Sequence, residues 1–255
     1  MLTTLTLALL CLFAFLAGFV DSMVGGGGLI QLPAMLLLLK GVPEPTIFGT
    51  GKVSSLMGTA AALRRYAGQV PIRWRAVGTA AALAGGFAFL GARVVSAFPR
   101  ELLRPMVLGL LVLIALYTFW RKDLGAIHAP RLSARREVWV AIIMGALIGF
   151  YDGFFGPGTG SFLLFMFVGL FGYDFLTASA SAKLVNVATN LTSLAYFAAT
   201  GQVLWQVALP MAICNMAGST LGAHVALRQG TGFVRGLFLV VVTAIILKLG
   251  SEMVR

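Results

Sequence analysis

Two aspartates and two lysines interrupt long apolar stretches of this sequence at a matching interval. Asp21 and Asp152 are 131 residues apart, and so are Lys52 and Lys183. A charged side chain within an apolar span is costly and marks a functional site by default. The lysines are either charge partners of a bound anion or anchors that extend toward a polar interface. The aspartates pair with the lysines or relay protons, or else each caps a loop.

A glycine-rich break follows each aspartate. Glycine interrupts helices because it lacks a Cβ and loses more backbone freedom than other residues on folding. A helix that begins after such a break presents free N–H groups and a positive dipole end to an anion. In the alternative interpretation, the small residues only allow helices to pack closely. The breaks comprise Gly25, Gly26, Gly27 and Gly28 in the first half and Gly156, Pro157, Gly158, Thr159, Gly160 and Ser161 in the second.

Polar residues at helical spacing follow both lysines. Offsets of three and four place each set on one face of a helix. Together with the breaks, Lys52, Ser55, Lys183, Asn186 and Asn190 form the predicted substrate-binding site, with Asp21 and Asp152 as a charge or proton relay. No cluster with metal-ligand spacing and no serine–histidine arrangement is present, so the sequence predicts neither an enzyme nor a metal site or cofactor. The polar sets are Lys52, Ser55 and Thr59, and Lys183, Asn186 and Asn190.

The composition indicates an integral membrane protein. Of 255 residues, 59% are hydrophobic and 11% are charged, whereas globular domains have about 25% charged residues. The formal net charge of +11 comes mostly from short loops between apolar segments. That pattern is typical of cytoplasmic loops, so nucleic acid is not a predicted partner.

The apolar segments predict an all-α protein made of two homologous repeats. Each repeat has about five helical segments: a broken, re-entrant A–A′ hairpin and three spans, B, C and D. We assign residues 1–120 to the first membrane repeat, 121–137 to a cytoplasmic basic linker and 138–255 to the second repeat. The predicted segments are 3–23, 29–39, 46–63, 76–97 and 105–120 in the first repeat, and segments starting at 138, 161, 176, 205 and 233 in the second.

The length of the A–A′ unit favours an inverted arrangement of the repeats. As one straight helix it would measure roughly 55 Å, far more than one crossing needs. A fold-back leaves each repeat with an odd number of crossings, so the second is upside down, a common transporter plan. Loop charge does not decide, because the inverted and parallel models both place 11 basic residues inside and 5 outside.

The two aspartate–glycine segments resemble the TauE/SafE sulfite exporter family. The segments read G-F-x-D-x-x-x-G-G-G-G and G-F-Y-D-G-F-F-G-P-G-T-G-S, and the second precedes an A-S-A-x-K-x-x-N helix. The resemblance covers essentially the whole chain. It implies a site around the two breaks, Lys183 and Asn186. Ser55 stands where the second repeat has Asn186, so the two half-sites are not chemically equal.

The predicted function is a secondary transporter, in the exporting direction, for sulfite or another small organosulfur or organic anion. The predicted location is a bacterial-type inner membrane, crossed several times, with the anion bound near the midplane. The predicted partners are the anion, the lipid bilayer and a second copy of the chain in a homodimer. Two alternatives stay open: a non-transporting subunit that assembles a larger complex, and an anion channel.

Overall fold

The computed structural model describes residues 3–99, 102, 109 and 132–253, with side chains up to residue 229. Within these ranges the chain is helical and forms no β-strand. A π-helical turn, Phe167–Phe171, extends the sixth helix. The helices are α1 Thr4–Val24, α2 Gly28–Leu38, α3 Glu44–Tyr66, α4 Trp74–Ser96, α5 Ala134–Phe154, α6 Thr159–Met166, α7 Phe175–Ala199 and α8 Trp205–Met253.

Most predicted segments are found within three residues of their expected ends. The start of α5 is the exception, and both it and the end of α3 lie at basic residues that the sequence analysis took as boundaries. α3 continues to Tyr66 with two arginines in its last turn, where positive charge favours the helix dipole. α5 begins at Ala134 and not at residue 138, because Arg135, Arg136 and Glu137 are good helix formers. The predicted first-repeat segment D and residues 121–131 of the linker lie outside the described residues, apart from residue 109.

One predicted boundary is wrong: spans C and D of the second repeat are not separate helices. α8 continues through 49 residues, a length of about 74 Å. We expected a turn near residues 228–235 by analogy with the first repeat, where Pro99 follows α4. The equivalent position is Gly230. Glycine weakens a helix by about 1 kcal/mol, whereas proline costs about 3 kcal/mol and ends it.

The repeats pack on one another through glycines. Along α5, Gly145, Gly149 and Gly153 lie against Ala80, Ala84 and Ala88 of α4. A Cβ added at Gly145 would stand 2.6 Å from the Ala80 carbonyl oxygen, so no larger residue fits. The same arrangement joins α1 to α8, where Gly18, Gly218 and Gly222 lie in the interface.

The contacts also give the relative directions of the helices. Residue numbers rise together along α4 and α5, so these helices are parallel. α3 and α7 instead run in opposite directions. Gly49, early in α3, packs on Phe197, late in α7. Tyr66, at the end of α3, and Ser179, early in α7, both donate to the Ser22 carbonyl oxygen.

Apolar helices surround a polar pair at the centre. Thr4–Val24, Trp74–Ser96 and Ala134–Phe154 are long and apolar enough to cross a membrane, and Gly28–Leu38 and Thr159–Phe171 are shorter apolar segments. α3 and α7 have 23 and 25 residues but a lower hydropathy, because they carry many buried polar residues. The two lysine-bearing helices therefore line the interior.

Candidate functional site

The two buried lysines form ion pairs with aspartates of the opposite repeat. Lys52 Nζ lies 2.9 Å from Asp152 Oδ2, and Lys183 Nζ lies 2.7 Å from Asp21 Oδ2. Each ammonium also donates to the main-chain oxygen of the same aspartate. The lysines are only 7% and 1% exposed. Both ammonium groups are therefore enclosed, and each repeat supplies the counter-charge for the other.

The two glycine breaks touch at this level of the molecule. Gly25 packs directly on the main chain of Gly160 and Ser161, and Gly28 packs on Pro157. Gly25, Gly26, Gly156 and Gly158 have φ values of 75°, 82°, 92° and 85°, which only glycine adopts readily. The breaks are not identical, because Gly27 has φ −54° whereas the equivalent Gly158 is left-handed.

A cavity of about 80 Å³ lies where the breaks and the ion pairs meet. Most residues of the predicted site line it, whereas Gly25, Ser161 and Lys183 lie behind its wall. Lys183 nevertheless contacts Asp21, which does line the cavity. The predicted residues at the wall are Asp21, Gly26, Gly27, Gly28, Lys52, Ser55, Asp152, Gly156, Pro157, Gly158, Thr159, Gly160, Asn186 and Asn190.

Several uncharged polar groups at the wall have no partner among the described residues. The Ser55 hydroxyl and the Asn190 side-chain amide make no hydrogen bond there, and the buried Asn186 Oδ1 is also unpaired. The main-chain N–H groups of Gly28 and Gly160, in the first turns of α2 and α6, likewise lack an acceptor. Buried polar groups are normally satisfied, so this set leaves hydrogen bonds for a guest.

Two cavity residues escaped the sequence analysis. Gln31 Oε1 accepts hydrogen bonds from Ser54 Oγ at 3.1 Å and from Asn215 Nδ2 at 3.0 Å. Gln31 and Asn215 both line the cavity. Their equivalents at the 131-residue offset are the apolar Phe162 and Ala84, so a comparison of the two halves of the sequence does not reveal them. Each residue could have been identified from the sequence as a single side-chain amide within an apolar stretch.

A second polar cluster joins the repeats at the end of the molecule where α4, α5 and α7 begin. Arg73 Nη1 lies 3.0 Å from Glu137 Oε1, and the Arg73 guanidinium lies 5.9 Å from the centroid of the Tyr173 ring. Burial and the Glu137 charge raise the pKa of Tyr173 to about 12, against the opposing effect of Arg73. The equivalents of Arg73 and Glu137 are Leu204 and Thr6, which line a separate cavity of about 580 Å³.

The described residues contain no group of three His, Cys, Asp or Glu side chains close enough to hold a metal ion. The chemistry that the site offers is therefore hydrogen bonding and charge, from two ion pairs, two helix N-termini and three unpaired side chains.

Comparison with known proteins places the chain in a family. The family model "Sulfite exporter TauE/SafE" matches residues 10–249. The chain is 35% identical over 246 residues to "Probable membrane transporter protein ORF9" of a Sinorhizobium species, covering 96% of this chain and 93% of that protein. It is 32% identical over 245 residues to "Probable membrane transporter protein YfcA" of Escherichia coli K12, covering 94% and 88%.

A probable membrane transporter of Haemophilus influenzae is 33% identical over 245 residues, covering 92% of this chain and 90% of that protein. No solved structure matches the chain significantly. The relatives are described as membrane transporters, which confirms the prediction of a membrane-embedded protein that is not an enzyme. The near-complete match leads to one conclusion: the chain belongs to the TauE/SafE sulfite exporter family of membrane transporters.

Proposed function

We propose that this protein is a secondary transporter that binds a small anion in the cavity at the crossing of the glycine breaks. One observation carries the proposal: hydrogen-bond donors without partners among the described residues line one cavity. The Ser55 hydroxyl and the Nδ2 groups of Asn186 and Asn190, which donate to no other described residue, are side-chain donors, and Gly28 and Gly160 contribute N–H groups. Anions accept such bonds, and the dipoles of α2 and α6 add positive potential.

The size of the cavity favours a small substrate. A cavity needs only ~10–15 Å³ to hold one water molecule, so about 80 Å³ holds several waters or one compact ion. The apolar part of the wall, with Phe48 and Phe155, leaves room for a short organic group. Sulfite, which the family description names, fits this range, as does another small organosulfur or organic anion. Export is the direction that the same description supplies.

We further propose that the repeats are inverted and cross a bacterial inner membrane. The helices α3 and α7 are equivalent by the 131-residue offset, and their contacts run in opposite directions. Helix–helix contacts between the repeats are reciprocal, as a two-fold axis in the membrane plane would produce. The homodimer stays a prediction.

Transport into proteoliposomes tests the proposal. Purified protein should take up radiolabelled sulfite, thiosulfate or methanesulfonate with saturable kinetics. We expect Asn186→Ala and Asn190→Ala to lower uptake at least tenfold. The matched control is Ser193→Ala on the same helix, since Ser193 is buried and donates to the Ala88 carbonyl oxygen away from the cavity.

The outcomes separate the alternatives. Uptake that does not saturate, together with a conductance in planar bilayers, would indicate a channel. A complete lack of flux for all three anions would favour a subunit of a larger complex. Equal losses for Ser193→Ala and Asn186→Ala would show that the cavity is not the binding site.

A further inference from the structure

The charges of the ionisable groups around the cavity already sum to zero. Among the described residues that line it, Asp21, Lys52 and Asp152 are charged. Lys183 lies just behind and pairs with Asp21. Two lysines therefore meet two aspartates, and neither lysine has charge to spare for a guest. A substrate anion that enters this site adds an uncompensated negative charge beside largely buried groups, which is unfavourable.

The two aspartates differ in how firmly their charge is held. Asp21 Oδ2 accepts from Lys183, and its Oδ1 accepts from the Gly27 N–H at 3.1 Å. Asp152 Oδ2 accepts from Lys52. Asp152 Oδ1 has no hydrogen-bond donor among the described residues, although Asp152 lines the cavity. Both carboxylate oxygens of Asp21 therefore have hydrogen-bond donors, whereas one carboxylate oxygen of Asp152 is left without one.

The difference follows from the two breaks. Gly27 has right-handed backbone angles and its N–H points back to Asp21, whereas Gly158 is left-handed and makes no such bond. Lys52 of α3 pairs with Asp152, and the neighbouring Tyr151 of α5 interacts with it electrostatically. Asp21 of α1, which pairs with Lys183 of α7, lines the same cavity.

We infer that the substrate anion is carried together with a proton, and that Asp152 is the proton acceptor. The inference rests on the proposed function and adds the coupling ion. When the anion binds, Asp152 takes up a proton and becomes neutral, and Lys52 then provides the counter-charge for the anion. No covalent bond other than the O–H of the carboxylic acid forms, and that bond breaks again on release.

Two forms of the site have no net charge. One is empty with Asp152 ionised, and the other holds the anion with Asp152 protonated. The anion without the proton leaves a net negative site, and the proton without the anion leaves a net positive one. Charged forms are disfavoured in a closed, dry state, so only the two neutral forms cross between the sides of the membrane. Transport of a monoanion is then electroneutral symport with one proton.

Coupling to protons affects the direction of net anion transport. With more protons outside than inside, electroneutral symport accumulates the anion, which is opposite to the export in the family description. Net export then requires an outward anion gradient larger than the inward proton gradient.

Proteoliposomes with clamped voltage test the coupling. Potassium on both sides with valinomycin holds the membrane potential at zero, and a pH gradient of one unit, acidic outside, is imposed. Methanesulfonate is the preferred probe because it stays ionised and carries no proton itself. We expect accumulation on the order of tenfold for one pH unit, alkalinisation outside, and no response to an imposed potential at equal pH.

Variants test the assignment to Asp152. Asp152→Asn should abolish accumulation driven by the pH gradient while retaining exchange of internal for external probe, because its loaded form is still neutral. Its net uptake should become sensitive to voltage. The matched control is Ser193→Ala, which should retain accumulation driven by the pH gradient, since Ser193 does not line the cavity and donates to the Ala88 carbonyl oxygen. Exchange activity shows that a variant is folded.

Three results would overturn the inference. Voltage-driven, pH-insensitive accumulation by the unmodified protein would exclude proton symport while leaving the proposed function intact. Accumulation driven by the pH gradient in Asp152→Asn would exclude Asp152 as the acceptor. No flux of methanesulfonate, thiosulfate or sulfite under any gradient would refute the proposed function, and this inference with it.

Discussion

Removing one member of the Lys183–Asp21 ion pair should destabilise the protein far more than removing both. Lys183→Met keeps most of the side-chain volume but leaves Asp21 without its cation. Lys183 is 1% exposed, and the Asp21 side chain is 20% exposed. Breaking a buried pair in this way costs about 3–5 kcal/mol, at least about a fifth of the total of about 5–15 kcal/mol that stabilises a typical domain.

The double variant Lys183→Met/Asp21→Asn should recover most of this loss. Neutral replacement of both members of a buried pair is often tolerated. The amide oxygen of Asn can still accept the hydrogen bond from Gly27 that Asp21 accepts, so the remaining cost should be about 1 kcal/mol. The control is Arg64→Ala, an exposed residue in the last turn of α3, where a change of less than about 1 kcal/mol is expected.

Thermal unfolding in detergent, followed by tryptophan fluorescence, measures these differences. With about 2–4 °C for each kcal/mol in a chain of this size, Lys183→Met should lower Tm by roughly 6–20 °C. The decisive comparison is between partners: Asp21→Asn should rescue Lys183→Met, whereas Asp152→Asn should not. If Asp152→Asn but not Asp21→Asn restored the stability of Lys183→Met, the pairing of Lys183 with Asp21 would be refuted. A loss no greater than that of Arg64→Ala would show that Lys183 is an anchor.

Two further predictions concern the membrane arrangement and the breaks. In a cysteine-free background, Gln69→Cys and Thr200→Cys should be labelled from opposite sides of the membrane, because inverted repeats place these exposed loop residues at opposite faces; labelling from the same side would establish parallel repeats. Gly158→Leu should abolish uptake yet leave a monodisperse protein, since the added side chain would enter the cavity and the backbone at this position has φ near 85°. The control Gly86→Leu should transport nearly normally, because this exposed helical position has no heavy atom within 4 Å of the added Cβ. Normal uptake by Gly158→Leu would assign the break to packing.

The 131-residue offset between matching residues made much of the helical arrangement predictable. A matching offset identified Asp21 with Asp152 and Lys52 with Lys183, and glycine chemistry placed both breaks. Which aspartate pairs with which lysine was not predictable, because pairing depends on how whole repeats pack. The amides of Gln31 and Asn215 were missed because their equivalents are apolar. The boundary within α8 was wrong because arginines and glycines weaken a helix without ending it.

Each ion pair joins the first half of the chain to the second, so its two members are synthesised at different times. Lys52 and its carboxylate are 100 residues apart, and Asp21 and its ammonium are 162 residues apart. At a synthesis rate of ~5–20 residues per second, Lys52 waits about 5–20 s for Asp152 to leave the ribosome. The first half therefore enters the bilayer with unmatched charges and an uncovered glycine surface on α1. Assembly waits for the second half, and a nascent chain halted midway is left as a substrate for the quality-control proteases of the membrane.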